Sequence, residues 1–135
     1  MALITWHEKY SVGIREIDDQ HKQLINMINE LNDSMLAGKG KDVLMPVLNK
    51  LASYCVSHFG TEEKLFDTHS YPDTADHKDK HHKMTAKVKA LIAEVQSGKS
   101  TVSIEVMNFL KNWLDKHILE TDKKYGPYLN SKGVK

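Results

Sequence analysis

Apolar residues recur along this chain at alternating steps of three and four positions, which is the spacing of one face of an α-helix. The first segment carries Leu24, Ile28, Leu31 and Met35 in this rhythm, and three later segments repeat it. Neighbouring apolar residues widen each stripe, as is typical of helices that pack in a four-helix bundle. The pattern predicts four helices, over about residues 18–37, 42–69, 73–97 and 102–120.

Helix-breaking residues separate the four stripes. Gly38–Gly40 follows the first, Pro72 the second and Gly98 the third, and Gly126–Pro127 is predicted to break the chain after the fourth. Helix starts are predicted at residues whose side chains can cap a helix, which are Asp18, Asp42 and one of Ser100, Thr101 and Ser103. Short loops favour antiparallel neighbours, so we expect an all-α, up-down-up-down antiparallel four-helix bundle.

Both ends of the chain lie outside the four stripes. Residues 1–16 lack a helical rhythm, but Trp6, Tyr10 and Ile14 give them apolar surface, so this N-terminal arm is expected to pack on the bundle. Residues 121–135 are predicted to form a short C-terminal segment. Because no repeat or linker divides the chain, residues 1–135 are expected to form a single domain.

The composition narrows the class of protein. The 135 residues are 40% hydrophobic and 27% charged, and 19 basic residues nearly balance 18 acidic ones, so no basic patch indicates a nucleic-acid partner. No apolar stretch reaches the roughly 18 residues of a membrane span, and the first residues do not resemble a signal peptide. Cys55 is the single cysteine and is expected to be a small buried hydrophobe. A reducing cytoplasm fits best.

Polar residues interrupt the apolar stripes at one level of the expected bundle. They are His21 in the first segment, His58 and Glu62 in the second, His77 and His81 in the third, and His117 and Asp122 at the end of the fourth. Such groups are costly to bury unless they are paired or bind a metal. In an antiparallel bundle the start of helices one and three meets the end of helices two and four, so these seven residues are expected to converge.

The donor set indicates a metal pair. His58 and Glu62, like His77 and His81, lie four residues apart and share a helix face. His117 and Asp122 are five apart, so they can share a site only if the helix loosens or ends near Glu120. Five imidazoles and two carboxylates exceed one tetrahedral zinc site and suit iron, manganese, zinc or copper, and the two carboxylates could bridge two ions.

The residues around these positions resemble the hemerythrin family, specifically its single-domain bacterial members. The resemblance rests on four stretches and extends from about Trp6 to about Tyr128; the stretches are Ile17–Leu24, His58–Glu63, Tyr71–His81 and His117–Asp122. It implies two iron ions joined by an oxo or hydroxo bridge, with O₂ bound reversibly. By this resemblance one iron is held by His77, His81 and His117, the other by His21 and His58, and both by Glu62 and Asp122.

The resemblance also implies the surroundings of the site. O₂ would bind the iron with two histidines, in an apolar pocket formed by Leu24, Trp113, Leu114 and Ile118. Phe59 and Tyr125 are expected to contact the ligands from outside, and Glu63 is expected to be solvated or to support a ligand. The other histidines, His7, His69 and His82, are expected at the surface or in structural positions.

Several functions are compatible with such a centre. The leading hypothesis is a monomeric, non-enzymatic O₂ carrier that transports or stores oxygen or delivers it to an oxygen-consuming enzyme. The alternatives are an O₂ or redox sensor, and a di-iron enzyme acting on peroxide or nitric oxide. Iron storage is disfavoured, since it would need an oligomeric shell and carboxylate-rich entry sites that the sequence does not indicate.

Overall fold

The computed structural model describes residues 3–38, 41–98 and 104–135, with the backbone alone for 41–44 and 104–106. Its helices are α1 (Arg15–Leu36), α2 (Lys41–His69), α3 (Thr74–Ser97), α4 (Ile104–Lys116) and α5 (Lys123–Ser131). A 3₁₀ turn (Glu8–Tyr10) precedes α1, and a π-helix (His117–Asp122) joins α4 to α5. The expected all-α four-helix bundle is confirmed: α2 packs on α1 and α3, and α4 packs on α1.

The start of α1 differs from the prediction. The helix begins at Arg15, so Asp18 lies inside its first turns and does not cap it. Asp18 instead faces the N-terminal arm, where its carboxylate accepts hydrogen bonds from the backbone N–H of Val12 at 2.9 Å and the hydroxyl of Ser11 at 2.6 Å. The predicted caps at Asp42, Ser100, Thr101 and Ser103 lie outside the part of the chain whose side chains are described.

The predicted break at Gly126–Pro127 is wrong, because α5 continues through both residues to Ser131. Tyr125 and Leu129 are fully buried on either side, and their packing outweighs the one backbone hydrogen bond that a proline removes from a helix. Gly126 has a different reason to be there. A side-chain carbon at this position would overlap the carbonyl oxygen of Val12, so glycine lets the arm cross α5 at close range.

The buried apolar residues form two clusters on either side of the polar level. The larger one runs along the bundle and includes Leu24, Phe59, Leu114 and Ile118. The smaller one joins the arm to the helix ends, and its buried members are Val12, Ile14, Ile17, Phe66, Tyr71, Tyr125 and Leu129. The polar residues of the stripes therefore lie between two dry layers, which limits the access of water from both sides.

The helices are those of a bundle that buries its own apolar faces. Among residues 3–38, 41–98 and 104–135, no helix combines the length and the apolar character needed to cross a membrane.

Candidate metal centre

The seven polar stripe residues meet in one buried site. They are His21, His58, Glu62, His77, His81, His117 and Asp122, and none is more than 5% exposed. Their donor atoms fall into two overlapping groups, each with all its atoms within 4.8 Å of one another. The three-histidine cluster contains His77, His81, His117, Glu62 and Asp122, and the two-histidine cluster contains His21, His58 and the same two carboxylates. The expected convergence of the four helices is therefore observed.

Asp122 lies between the two clusters. Its Oδ1 is 2.9 Å from His77 Nε2 and 3.0 Å from His117 Nε2, whereas its Oδ2 is 3.1 Å from His21 Nε2. One carboxylate oxygen thus faces each cluster, as expected of a group that can bridge two ions. Glu62 faces both clusters through Oε1, which lies 3.2 Å from His58 Nε2 and 3.3 Å from His81 Nε2.

The π-helix explains how His117 and Asp122 reach the same site. In an α-helix, residues five apart point in directions about 140° apart, because each residue turns the helix by roughly 100°. A π-helix forms i→i+5 hydrogen bonds, so residues five apart lie above one another. The backbone N–H of Lys123 donates to Ile118 in this way. Of the two alternatives left open by the sequence, the helix loosens at Glu120 and does not end there.

Most of the donor atoms that face inward lack a hydrogen-bond partner. They are Nε2 of His21, His77, His81 and His117, Oε1 of Glu62 and both oxygens of Asp122. These atoms lie close to one another, yet none of them has a hydrogen-bond partner. An orphaned buried polar atom costs roughly 1–3 kcal/mol, and a cation bound among these atoms would remove that cost, so the cluster is able to hold a metal ion. Imidazole nitrogen with carboxylate oxygen suits a first-row transition metal.

The electrostatics of the carboxylates also favour cation binding. Burial and the neighbouring Asp122 raise the pKa of Glu62, but its contacts with His58 and His81 outweigh them and lower the pKa below its usual range. Burial likewise raises the pKa of Asp122, but His117, His21 and His77 lower it by more. The pKa of Asp122 therefore lies well below its ordinary value. Both groups are therefore carboxylates at neutral pH and supply negative charge to the centre.

Tyr125 fixes the remaining oxygen of Glu62. Its hydroxyl donates a hydrogen bond to Glu62 Oε2 at 2.5 Å, while Glu62 Oε1 faces the histidines. Burial and the adjacent Glu62 raise the pKa of Tyr125 well above 10, so the hydroxyl keeps its proton and remains a donor. The expected contact of Tyr125 with a candidate ligand is thus present.

Two aromatic rings lie flat against the three-histidine cluster. Phe59 stacks on His81 with the ring centroids 3.9 Å apart and 8° between the planes, and Trp113 stacks on His117 at 4.5 Å and 11°. In the two-histidine cluster, His21 and His58 meet each other edge to face at 4.7 Å. The rings hold two imidazoles of this cluster in place.

An apolar cavity of about 20 Å³ adjoins the site. Of the residues expected in the apolar pocket, Leu24, Trp113 and Leu114 line it, while Ile118 is fully buried nearby but does not. Cys55 also lines the cavity, and burial raises the pKa of its thiol to about 12, so it is a protonated, unreactive thiol. Phe59 completes the boundary between the cavity and the histidines.

Trp113 separates this cavity from a second, more polar pocket. That pocket has a volume of about 270 Å³, opens to the surface beside His117, and is lined by Lys80, Lys116, Glu120 and Thr121 together with Trp113. The indole ring of Trp113 therefore borders both the open surface pocket and the apolar cavity.

The outer nitrogens of two histidines have partners that the sequence did not single out. His58 Nδ1 lies 2.6 Å from Gln20 Oε1, and His81 Nδ1 lies 3.0 Å from Glu63 Oε2. The sequence gives no signal for Gln20, because its contact with His58 joins two different helices. For Glu63 the sequence predicts either a solvated position or support of a ligand, and its side chain contacts His81. The remaining histidines lie apart: His82 is exposed, His69 is half-buried at the end of α2, and the His7 side chain accepts from Lys9 N–H in the arm.

Known proteins are similar to this chain in sequence and in fold. A family model described as the hemerythrin HHE cation binding domain matches residues 12–129. The bacteriohemerythrin of Methylococcus capsulatus is 33% identical over 132 residues, which cover 97% of this chain and 100% of that protein. The bacteriohemerythrin of Pseudomonas aeruginosa is 34% identical over 125 residues, covering 93% and 80%. A crystal structure of wild-type hemerythrin superposes with a TM-score of 0.89 at 34% identity, covering 95% of this chain and 98% of that one.

Proposed function

This chain belongs to the hemerythrin family, and from that premise we propose that it binds O₂ reversibly at a non-haem di-iron centre. In this proposal His77, His81 and His117 hold one iron, and His21 and His58 hold the other. Glu62 and Asp122 bind both, together with an oxo or hydroxo bridge. The single observation that carries the proposal is the set of buried, inward-facing donor atoms without hydrogen-bond partners, bordered by an apolar cavity.

The side chains of the protein would hold two ions and leave one of them open to O₂. The histidines and carboxylates would supply nine contacts to two ions, five in the three-histidine cluster and four in the two-histidine cluster. When bound, a ferrous pair supplies the two electrons that O₂ binding uses and recovers them on release. The cluster with fewer donors is the proposed position for O₂, because it leaves more of the ion uncovered.

The apolar cavity supports binding over turnover. Its volume of about 20 Å³ exceeds the roughly 10–15 Å³ that one water needs, so it can admit a molecule of the size of O₂. Water is stable in a cavity only where it finds two to four polar partners, and the leucine, isoleucine, valine and phenylalanine side chains that form most of this lining offer none. Leu24, Trp113 and Leu114 would therefore admit a neutral gas and exclude the water and protons that end reversible binding.

The protonated thiol of Cys55 does not alter this argument. Because burial raises its pKa to about 12, it is a poor proton donor at neutral pH and no thiolate nucleophile. Among the described cavity-lining residues, no side chain is suited to general acid or base catalysis. This favours an oxygen carrier over an enzyme that turns over peroxide or nitric oxide, and the uses we propose are oxygen transport, storage or delivery to an oxygen-consuming enzyme.

The proposal is tested by the visible absorption of the iron-loaded, reduced protein, cycled between O₂ and argon. We expect charge-transfer bands that appear with O₂ and vanish under argon over several cycles. Bands that appear once and persist would instead indicate a centre that O₂ oxidises irreversibly, and would contradict the carrier function. Steady-state turnover with peroxide or nitric oxide, measured on the same preparation, would then identify the enzyme alternative.

A further inference from the structure

The outer nitrogens of His58 and His81 are held by side chains of different charge. Gln20 offers a neutral amide oxygen to the two-histidine cluster, and Glu63 offers a carboxylate to the three-histidine cluster. We propose that Gln20 and Glu63 are positioning residues that give the two bound ions different reduction potentials, the lower one in the three-histidine cluster. This inference rests on the proposed ligand roles and extends them to residues outside the ligand set.

The orientation of the Gln20 amide is fixed by a short chain of hydrogen bonds. Thr61 donates its hydroxyl to the backbone carbonyl of Ser57 at 3.2 Å, so its oxygen is free to accept from Gln20 Nε2 at 3.4 Å. The amide nitrogen therefore faces Thr61 and the amide oxygen faces His58. An amide oxygen only accepts, so His58 Nδ1 carries the hydrogen and His58 Nε2 presents a lone pair to the centre.

Glu63 defines the state of His81 by the same logic. Its carboxylate accepts from His81 Nδ1 at 3.0 Å, which leaves His81 Nε2 directed at Glu62 and the cluster. The Glu63 side chain is 25% exposed, so it reaches His81 from the edge of the site and stays in contact with solvent. Phe59, stacked on the His81 ring, holds the imidazole in the plane that this hydrogen bond requires.

The two partners differ in what they do to the ligand. A carboxylate that accepts from the outer nitrogen makes the imidazole a stronger electron donor, and partners of this kind orient and tune metal ligands. A stronger donor stabilises the more highly charged state of an ion and so lowers its reduction potential. The neutral Gln20 gives His58 less of this effect. The two-histidine cluster, where O₂ is proposed to bind, therefore has fewer donors, and one of them, His58, is a weaker donor. Its ion receives less electron density from the protein and can accept a further ligand.

The chain offers a matched exchange that tests this inference. Glu63→Gln removes the charge but keeps an acceptor, and Gln20→Glu adds the charge with the same side-chain length. We expect the reduction potential of the iron-loaded protein to rise in Glu63→Gln, to fall in Gln20→Glu, and to return towards the parent value in the double variant. Glu94→Gln is the control, because this exposed carboxylate lies near the end of α3, more than three helical turns from His81, and should leave the potential unchanged. Equal potentials in all the variants would overturn the inference.

A second measurement uses Co²⁺, which reports on the ligands without O₂. Gln20→Leu removes the acceptor of His58, and loss of such a partner typically weakens metal binding about 10–100-fold. Gln20→Glu keeps the acceptor and makes it a stronger one, so it should bind Co²⁺ at least as tightly as the parent. If Gln20→Leu also binds as the parent does, Gln20 does not position His58 and the inference fails. Should Gln20→Leu not fold, the affinity and the potential of Gln20→Glu carry the test.

These readouts separate the inference from the proposed function. Shifted potentials and Co²⁺ affinities in a protein whose absorption does not follow O₂ would retain the positioning roles and reject the carrier. Reversible O₂ bands with unchanged potentials in the exchanged variants would retain the carrier and reject the positioning roles.

Discussion

The two halves of the metal centre share both carboxylates but differ in how the surrounding protein holds them. In the three-histidine cluster, stacked aromatic rings lie against His81 and His117, and Glu63 accepts from His81. In the two-histidine cluster, His21 and His58 contact each other edge to face, and a neutral amide accepts from His58. The surroundings of the three-histidine cluster therefore favour rigid ligands and strong electron donation to an ion. The two-histidine cluster has fewer donor atoms, and fewer side chains hold its ligands in place.

The difference indicates that the two halves of this buried site have different roles. A site with five donors and flanking rings leaves little space for an additional ligand, so it suits an ion that stays fully coordinated. A site with four donors leaves space for a substrate, as in metal centres that keep an open position. Leu24, three residues after His21, lines the apolar cavity, as do the two rings that stack on His81 and His117, so the cavity borders both clusters.

Removing the metal should destabilise the protein, because both halves of the centre lose the ion that their donor atoms hold. The inward-facing donors are orphaned without an ion, so an ion that binds only the folded chain stabilises it by about 4 kcal/mol at a thousandfold excess over the dissociation constant. We expect the melting temperature of the iron-loaded protein to fall clearly after chelation and dialysis, and to recover when iron is restored. A melting temperature insensitive to metal, measured by calorimetry, would contradict a metal centre of any kind.

Loss of a histidine of the three-histidine cluster should affect metal binding in that cluster first. His77→Ala removes a donor 2.9 Å from Asp122 and is expected to lose at least the ion of the three-histidine cluster, together with the O₂-dependent absorption. The iron content per chain, determined by elemental analysis, measures this directly. His82→Ala is the matched control, because His82 is an exposed histidine on the same helix. Retention of full iron content and O₂ binding in His77→Ala would refute its assignment as a ligand.

Opening the apolar cavity should affect the half that is proposed to bind O₂. Leu114→Ala enlarges the space beside the histidines, admits water, and is expected to speed the irreversible oxidation of the O₂-loaded protein several-fold or more. The rate is followed as the decay of the O₂ bands. Leu31→Ala truncates a fully buried leucine that does not line the cavity, so it should lose comparable stability, about 2–5 kcal/mol, without the faster decay. Equal decay rates would mean that Leu114 does not shield the site.

The smallest expected effect concerns the shared carboxylate Glu62. Tyr125→Phe leaves Glu62 Oε2 without its donor and should cost about 1–3 kcal/mol of unfolding free energy. Tyr71→Phe is the control, since the Tyr71 ring lies in the same apolar cluster and meets Tyr125 edge to face. If both variants unfold at the same denaturant concentration, the hydroxyl of Tyr125 contributes nothing specific.

The pH dependence of the same group has a defined sign. The folded-state pKa of Tyr125 is raised well above 10, mainly by burial and then by Glu62, whereas an unfolded tyrosine titrates near 10. The contribution of Tyr125 to stability is therefore fully present below pH 10 and is lost as the pH rises from there towards the folded-state pKa. Tyr125→Phe should flatten the decline of stability above pH 10, as measured by denaturant titrations at a series of pH values.

The sequence predicted the bundle well because its periodicity is strong and local. The positions of His21, His58 and His81 on the apolar stripes were readable from spacing alone, and the short loops indicated their convergence. The assignment of individual ligands to individual ions stays a prediction, since it derives from the family resemblance and from donor chemistry. Gln20 was not readable in this way, because its contact with His58 joins residues 38 positions apart on different helices.

Two features were misjudged because local rules compete with tertiary packing. Gly126–Pro127 has the composition of a helix end, yet burial of Tyr125 and Leu129 and the close passage of the arm over Gly126 keep it helical. Asp18 has the composition of a helix cap, yet the arm offers it donors at Ser11 and Val12, and α1 starts earlier. In both places the arm, whose path the periodicity did not predict, decided the outcome.

By itself the sequence determined the helical class, the stripes that face the core and the kinds of donor placed on them, because these follow from a repeat of about 3.6 residues and from side-chain chemistry. Only the tertiary structure decided that the helix loosens between His117 and Asp122, which oxygen of each carboxylate faces which histidine, and which group holds each outer nitrogen. These features depend on contacts between helices that lie far apart in the chain. At such contacts, a change of about an ångström in the distance between two side chains decides whether they share one site.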